Sequence, residues 1–320
     1  MKAKSLSIVA TLTLAIMTLS ASSLAQPYPN RPIRILTSTP GGGNDFLARI
    51  VAPALSDGLG ESVIVDNRAS RLVGPLGAQA EPDGYTLVIA GSTFQFVPLL
   101  QKQDYDPIKS FAAISQLERS PNILVVNTAL GVNSVKELIA MAKAKPGKLL
   151  YGSGGTGGSL HLAAEMLKMR TGINIVRVPY KSTGPALIGL LSQEVHLVFS
   201  TPGGALPHVK SGKFRALAVT SPEPSPLVPG VPTMASQGLP GFELETIGFI
   251  LAPAGTPVQI IRHLNREIVE IMSEPDVKEK LLAGGSEAVS STPEQLTAKM
   301  KADDAKMRKL FKSLGLSAKK

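Results

Sequence analysis

The stretch YGSGGTGGSLHLAAEM (residues 151–166) carries five glycines within seven positions: Gly152, Gly154, Gly155, Gly157 and Gly158. Glycine loses more conformational freedom on folding than any other residue, so such density calls for a structural reason. A strand-like KLLY (148–151) leads in and a helix-like LHLAAEML (160–167) leads out, which argues against a flexible linker. Bare backbone lets main-chain N–H groups approach a ligand closely, and a helix N-terminus adds unpaired donors and partial positive charge. The stretch therefore reads as an anion-holding turn between a strand and a helix.

Outward from this turn, short β-rich runs alternate with helix-like runs. IRILTS (33–38), SVIVDN (62–67), YTLVIAG (85–91), NILVVN (122–127), KLLYGS, INIVRVPY, VHLVFS, FRALAVT and TIGFILAP (246–253) read as strands. A helix is expected from Asp45 to Leu59 with Phe46, Leu47, Ile50, Val51, Ala54 and Leu55 on its buried face. Ser134 and Glu137 have the spacing of a capping box, and Thr256 with Pro257 marks another helix start. The pattern is α/β with largely parallel sheets. A second glycine turn, TPGGGND (39–45), lies about 110 residues upstream of the first. Ligands in open α/β sheets sit beyond the carboxyl ends of strands, so two such turns suggest two lobes facing a shared cleft.

The 320 residues, 43% hydrophobic, are ample for two cores. MKAKSLSIVATLTLAIMTLSASSLA (1–25) has a basic start, an apolar middle and a small-residue end. It reads as a cleaved secretory signal, leaving a periplasmic protein. Removing Lys2 and Lys4 takes the net charge of +9 to +7 (9 − 2). The absence of cysteine excludes disulfides, thiolate metal sites, cysteine nucleophiles and a lipid-modified cysteine. Scattered basic residues and only 4% aromatics argue against nucleic acid. A mildly basic balance suits attraction of anionic solutes.

GSGGTG (152–157) also satisfies G-x-G-x-x-G, so an NADP-dependent oxidoreductase is a rival reading. The acidic residue that would hold ribose about 20 positions on is missing, and Arg177 and Lys181 stand there instead. Neither glycine run is a P-loop. None of the four histidines lies in a hydrolase or metal motif, so no catalytic residue, metal or cofactor is expected. His161, in the first turn of the helix, could donate to a bound anion or simply pack, whereas His196 alternates with apolar residues and reads as structural. Asp45 would repel an anion and is expected to cap its own loop. Ser92 and Thr93 could add hydroxyls after the strand YTLVIAG. Lys181 and Thr183 form a third candidate rim, with Thr183 opening a helix that points the same way as the glycine-rich one.

Taken together, YPNRPIRILTSTPGGGNDFLAR, PDGYTLVIAG, YGSGGTGGSLHLAAEML, VPYKSTGPALIGLLSQEVHLVF, ALPHVKSGKFRALAVTS, VPTMASQGLPGFE and LAPAGTP resemble the Bug (tripartite tricarboxylate transporter) periplasmic solute-binding proteins in order and spacing. The resemblance implies a two-lobed flytrap, with residues 26–122 and 246–320 in lobe 1 and 123–245 in lobe 2. It implies a small carboxylate held at two loops, Gly42, Gly43, Asn44 and Asp45 in the first, and Ser153, Thr156, Gly157, Gly158, Ser159 and His161 in the second. Family members often carry an acidic residue after HLVF; here Ser200 and Thr201 stand in its place, which disfavours an amino-acid ligand. The segment 67–85 is a few residues shorter than the family's usual glycine-rich segment, and a frequent tryptophan before LAPAGTP is replaced, with Ile247 nearby. The expected protein is a monomeric, non-enzymatic binding protein. Its partners would be membrane transporter subunits or, alternatively, a sensor kinase.

Overall fold

The computed structural model describes residues 28–154 and 157–313. The expected signal segment 1–25 and Thr156 lie outside them. The chain begins with β1 (Ile33–Thr37), α1 (Gly43–Leu59), β2 (Val63–Asn67), α2 (Ser70–Ala78), β3 (Thr86–Gly91), α3 (Ser92–Leu100) and β4 (Phe111–Pro121). It then crosses into β5 (Ile123–Asn127), α4 (Val135–Ala144), β6 (Leu150–Ser153), α5 (Ser159–Thr171) and β7 (Val176–Pro179). There follow α6 (Thr183–Leu191), β8 (Leu197–Ser200), α7 (Pro202–Lys210) and β9 (Phe214–Val219). The return comprises β10 (Glu245–Pro253), α8 (Val258–Ser273), α9 (Pro275–Ala283), β11 (Glu287–Ala288) and α10 (Pro293–Ser313).

Two sheets result, ordered β11-β4-β10-β3-β1-β2 and β7-β6-β8-β5-β9. The expectation of largely parallel sheets is corrected: both are mixed. β1 pairs parallel with β2 and β3, and β6 with β7 and β8, but β10 runs antiparallel to β3 and β4, and β5 antiparallel to β8 and β9. The reason is connectivity. β5 and β10 arrive from the other lobe rather than through a right-handed crossover helix, so nothing imposes the parallel direction. β4, which the strand reading missed, is the longest strand and runs directly into β5.

Both faces of the first sheet are covered, which is why its strands read as continuous apolar runs. Ile33, Ile35, Leu87, Ile89 and Ile250 face one core with Leu47, Val51, Leu264 and Ile268. Leu36, Val88, Ala90, Phe249 and Leu251 face the other, with Phe94, Leu296 and Met300. This is the period-two alternation of a strand. The expected buried face of α1 is shifted by part of a turn: Leu47, Ala48, Val51, Ala52 and Leu55 are buried, Ile50 and Ala54 only partly, and Phe46 is exposed. α4 starts with Ser134 Oγ accepting from Glu137 N–H (3.1 Å), while the Glu137 carboxylate accepts from Asn133 N–H (2.8 Å), one residue earlier than a strict capping box.

Two helices pack against both lobes. In α10, Leu296 and Met300 join the first-lobe core while Met307, Leu310 and Phe311 join Leu124, Leu162 and Phe199 of the second. In α3, Phe94 belongs to the first core and Phe96 and Leu99 to the second. At the strand crossings, Asn122 exchanges hydrogen bonds with Thr220 and its Nδ2 donates to Leu244 O at 2.7 Å. Among the described residues no helix is long and apolar enough to cross a membrane.

Candidate functional site

Four helices begin around one cavity between the lobes, each after the carboxyl end of a strand: α3 after β3, α5 after β6, α6 after β7 and α7 after β8. Their N-cap residues are Gly91, Gly158, Ser182 and Thr201, and at none of them does a cap side chain accept from the helix. The first-turn N–H groups of four helices thus lack a cap acceptor, and each helix adds partial positive charge at that end. The cavity holds about 250 Å³. Thr93, Gly158, Ser159, Thr183 and Thr201 line it from the helix starts, joined by Gly154, Leu160, His161 and Thr246. Among the described residues, no carboxylate, lysine or arginine side chain is in that wall. It offers hydroxyls, peptide groups and one imidazole.

The glycines are there for close approach. A Cβ on Gly154 would sit 3.2 Å from the Ser182 backbone, so the loop packs directly on the start of α6. Gly157 has φ +84°, which L side chains rarely adopt. Its N–H donates to His161 Nδ1 at 3.2 Å, which leaves Nε2 of a neutral ring as the donor. Burial, with the Arg177 charge second, pushes the His161 pKa down to about 4. His161 is therefore neutral near pH 7 and fixes the turn rather than presenting a cation.

That shift has a stability consequence. The folded value lies below the ordinary 6.5, so the contribution is complete above pH 6.5 and is lost as pH falls towards 4, where the unfolded chain gains the proton first. Between pH 7 and 4.5 this one group should remove on the order of 1–2 kcal/mol, allowing for solvent screening. Denaturant unfolding of wild type and His161→Gln at the two pH values should show a smaller pH dependence in the variant. Equal dependence would remove His161 as the cause.

Other residues expected at the site have different surroundings. Asp45 accepts from Gly41 N–H (2.8 Å), Asn67 Nδ2 (2.8 Å) and Arg49 Nε (3.0 Å), and these contacts, Arg49 foremost, hold its pKa down at about 2. It caps its own loop, as its chemistry demands. Ser153 Oγ accepts from Arg177 Nε (2.7 Å), and Arg177 also donates to Gly154 O (2.7 Å), so the cation that a dinucleotide site would need is bound within the turn. Ser92 Oγ accepts from Ile247 N–H (3.2 Å) and is turned away from the cavity. Ser200 is buried and donates to Thr201 O (3.1 Å). Gly42, Gly43 and Lys181 line neither this cavity nor the one beside it. His196 Nδ1 accepts from Leu150 N–H (2.9 Å) where β8 begins beside β6, a structural role consistent with its strand position.

A second cavity of about 400 Å³ opens in lobe 1 and shares Thr93 with the first. Ser38, Asn44, Ser70 and Arg71 stand on its polar side, with Val73, Ile89, Phe94, Val97 and Tyr105 among its apolar walls. Among these, only Asn44 and Thr93 were expected from sequence. Leu160, Thr246 and Arg71 were missed. Thr246 could have been noticed as a hydroxyl at the start of a crossing strand; it meets Ser159 Oγ at 2.8 Å. Among the described residues no cluster of three metal-ligating side chains occurs.

A family model described as the tripartite tricarboxylate transporter family receptor matches residues 47–316. Protein BugT of Bordetella pertussis is 36% identical over 285 residues, covering 87% of each chain. R. palustris Rpa4515, solved with adipate, superposes with a TM-score of 0.78 at 32% identity, over 91% of this chain and all of that one. The periplasmic binding protein BugD superposes with a TM-score of 0.75 at 31% identity and the same coverage.

Proposed function

The chain belongs to the tripartite tricarboxylate transporter receptor family, and on that premise we propose that it captures a small organic carboxylate in the bacterial periplasm and presents it to a transporter of that type. The observation that carries this reading is the convergence of four uncapped helix N-termini on one cavity with no acidic side chain in its wall. A carboxylate there would accept from peptide N–H groups and from the hydroxyls of Thr93, Ser159, Thr183, Thr201 and Thr246. Hydrogen bonds to a charged group contribute roughly 1.5–3 kcal/mol each, so a few offset the cost of ordering the lobes. The lobes, 26–122 with 246–320 and 123–245, would close over the ligand, and residues 1–25 would direct export.

A thermal-shift screen tests this. Mono-, di- and tricarboxylates, amino acids and NADPH are each added at about a hundredfold over micromolar affinity. A ligand at 100 Kd stabilises by about 2.7 kcal/mol, which for a chain of this size raises Tm by roughly 4–5 °C. At least one carboxylate should do so, and NADPH should not. A screen in which no carboxylate moves Tm, or in which NADPH does, overturns the reading.

A further inference from the structure

The six-stranded sheet leaves part of one strand edge open. β4 lies between β10 and β11, but β11 pairs with it only at Glu118 and Arg119. The chain then continues along β4 in the same lane. Val289 N–H donates to Leu117 O (3.0 Å), Ser291 Oγ accepts from Gln116 N–H (3.0 Å), and Asn265 Nδ2 of α8 donates to Ile114 O (2.8 Å). At Pro293 the chain turns into α10 and leaves the lane. Among the described residues no further strand lies beside the edge from Phe111 to Ala113, at the end of β4 remote from the crossing into β5. Ala254 N–H donates to Ser110 O (3.0 Å), so the alternation of an antiparallel ladder turns Ala112 towards β10 and the peptide groups of Phe111 and Ala113 outwards. No loop peptide or side chain among the described residues bonds them. A cavity of about 530 Å³ lies there, with Ala112 and Ala113 in its wall. α8 bounds it on one face of the sheet with Val258 and Ile261, and α10 on the other with Ala298 and Met300. Two cations, Arg262 and Lys301, line it against the single carboxylate of Glu294.

An open strand edge between two apolar walls specifies its occupant: extended backbone that continues the ladder, with side chains pointing alternately to α8 and α10. We propose that this lane receives an extended segment of a partner protein, added to the sheet as a short strand beside β4. Its residues are apolar on both faces, as in the sheet's own central strands, and an acidic residue ends the run where Arg262 and Lys301 stand. The edge is recessed between α8 and α10, which bar the equally recessed β4 of a second copy but admit a single loose segment. The lane shares no lining residue with the interlobe cavity and does not depend on what binds there.

The test titrates the mature protein into labelled peptides Glu-Xaa-Val-Xaa-Val-Glu, where Xaa is valine, isoleucine, leucine or phenylalanine, and follows fluorescence anisotropy. At least one should bind with Kd below about 100 µM. The same peptide N-methylated at both valines, which cannot donate to the ladder, should bind at least about tenfold more weakly. Hydrogen exchange at the Phe111 and Ala113 amides should slow when the peptide is bound. Ala298 is exposed on α10, so Ala298→Trp should keep the wild-type Tm while filling the lane and weakening the peptide at least about tenfold. Lys301→Glu should weaken it by about two- to fivefold, the scale of one exposed ion pair. Absence of peptide binding at about 1 mM overturns the proposal. So do equal binding of the N-methylated peptide, unchanged exchange at the two amides, and undiminished binding in Ala298→Trp. Binding of decanoate but of no peptide would show a site for a small amphiphile, and a dimer in sedimentation that Ala298→Trp abolishes would put a second copy in the lane; either result also overturns it.

Discussion

Gly157→Val is expected to weaken carboxylate binding at least about a hundredfold while the two sheets stay folded, because left-handed backbone is closed to β-branched residues. Gly157 has φ +84°, and a Cβ there would collide with Leu100 Cδ1 from the other lobe. The leucine tip can swing aside, but the backbone strain cannot be relieved without moving the turn. Its N–H would leave His161 Nδ1, and Gly158 and Ser159, at the start of α5, would leave the cavity wall with it. The residue lies outside the apolar clusters, so circular dichroism should stay native-like. Calorimetry with whichever carboxylate stabilises wild type gives the readout. Wild-type affinity in Gly157→Val would show that this turn does not hold the ligand.

Asn122→Leu should have the largest effect on stability. The side chain is fully buried where the lobes join. Its Nδ2 donates to Leu244 O (2.7 Å) and its Oδ1 accepts from Thr246 Oγ1 (3.1 Å), which in turn meets Ser159 Oγ (2.8 Å). One amide therefore ties both strand crossings together and reaches the cavity wall. Leucine matches the volume but leaves the Thr246 hydroxyl without its acceptor and Leu244 O with Thr220 Oγ1 alone. Unsatisfied buried polar groups cost about 1–3 kcal/mol each, so a loss of roughly 2–4 kcal/mol is expected. For a chain of this length that lowers Tm by roughly 3–7 °C. Binding should weaken as well, since Thr246 and Ser159 lose their fixed orientation. An unchanged Tm would show that the crossing is held by strand pairing alone.

Much of the fold was legible because it is encoded locally. Runs such as IRILT and ILVVN bury both faces and so betray themselves as strands without knowledge of their neighbours. The glycine turn at 152–158 announced a close backbone approach, and Asp45 was readable as a cap because its acceptor serves N–H groups a few residues away. Phe46 went the other way. Helical spacing places it beside Leu47, but which arc of α1 faces the sheet depends on where β1 and β2 sit, and that is not a property of the helix.

The site divides along the same line. Its ingredients, small hydroxyl and glycine residues at strand-to-helix turns, follow from residue chemistry at each turn. Their assembly does not. α3, α5, α6 and α7 meet at one cavity only because β3 lies beside the crossing strand β10 and because β6, β7 and β8 are neighbours in the second sheet. Strand order is set by pairing between residues far apart in the chain, on which local periodicity is silent. The fates of the two arginines show the same limit. Arg177 stood where sequence spacing asked for a ligand cation, yet it is bound into its own loop, whereas Arg71 drew no notice and faces the open cavity. Sequence alone determined which strand-to-helix turns carry hydroxyls and bare peptide groups. The tertiary structure decided which of them face the same space, because a side chain's partners are chosen by the packing of distant elements and not by its position along the chain.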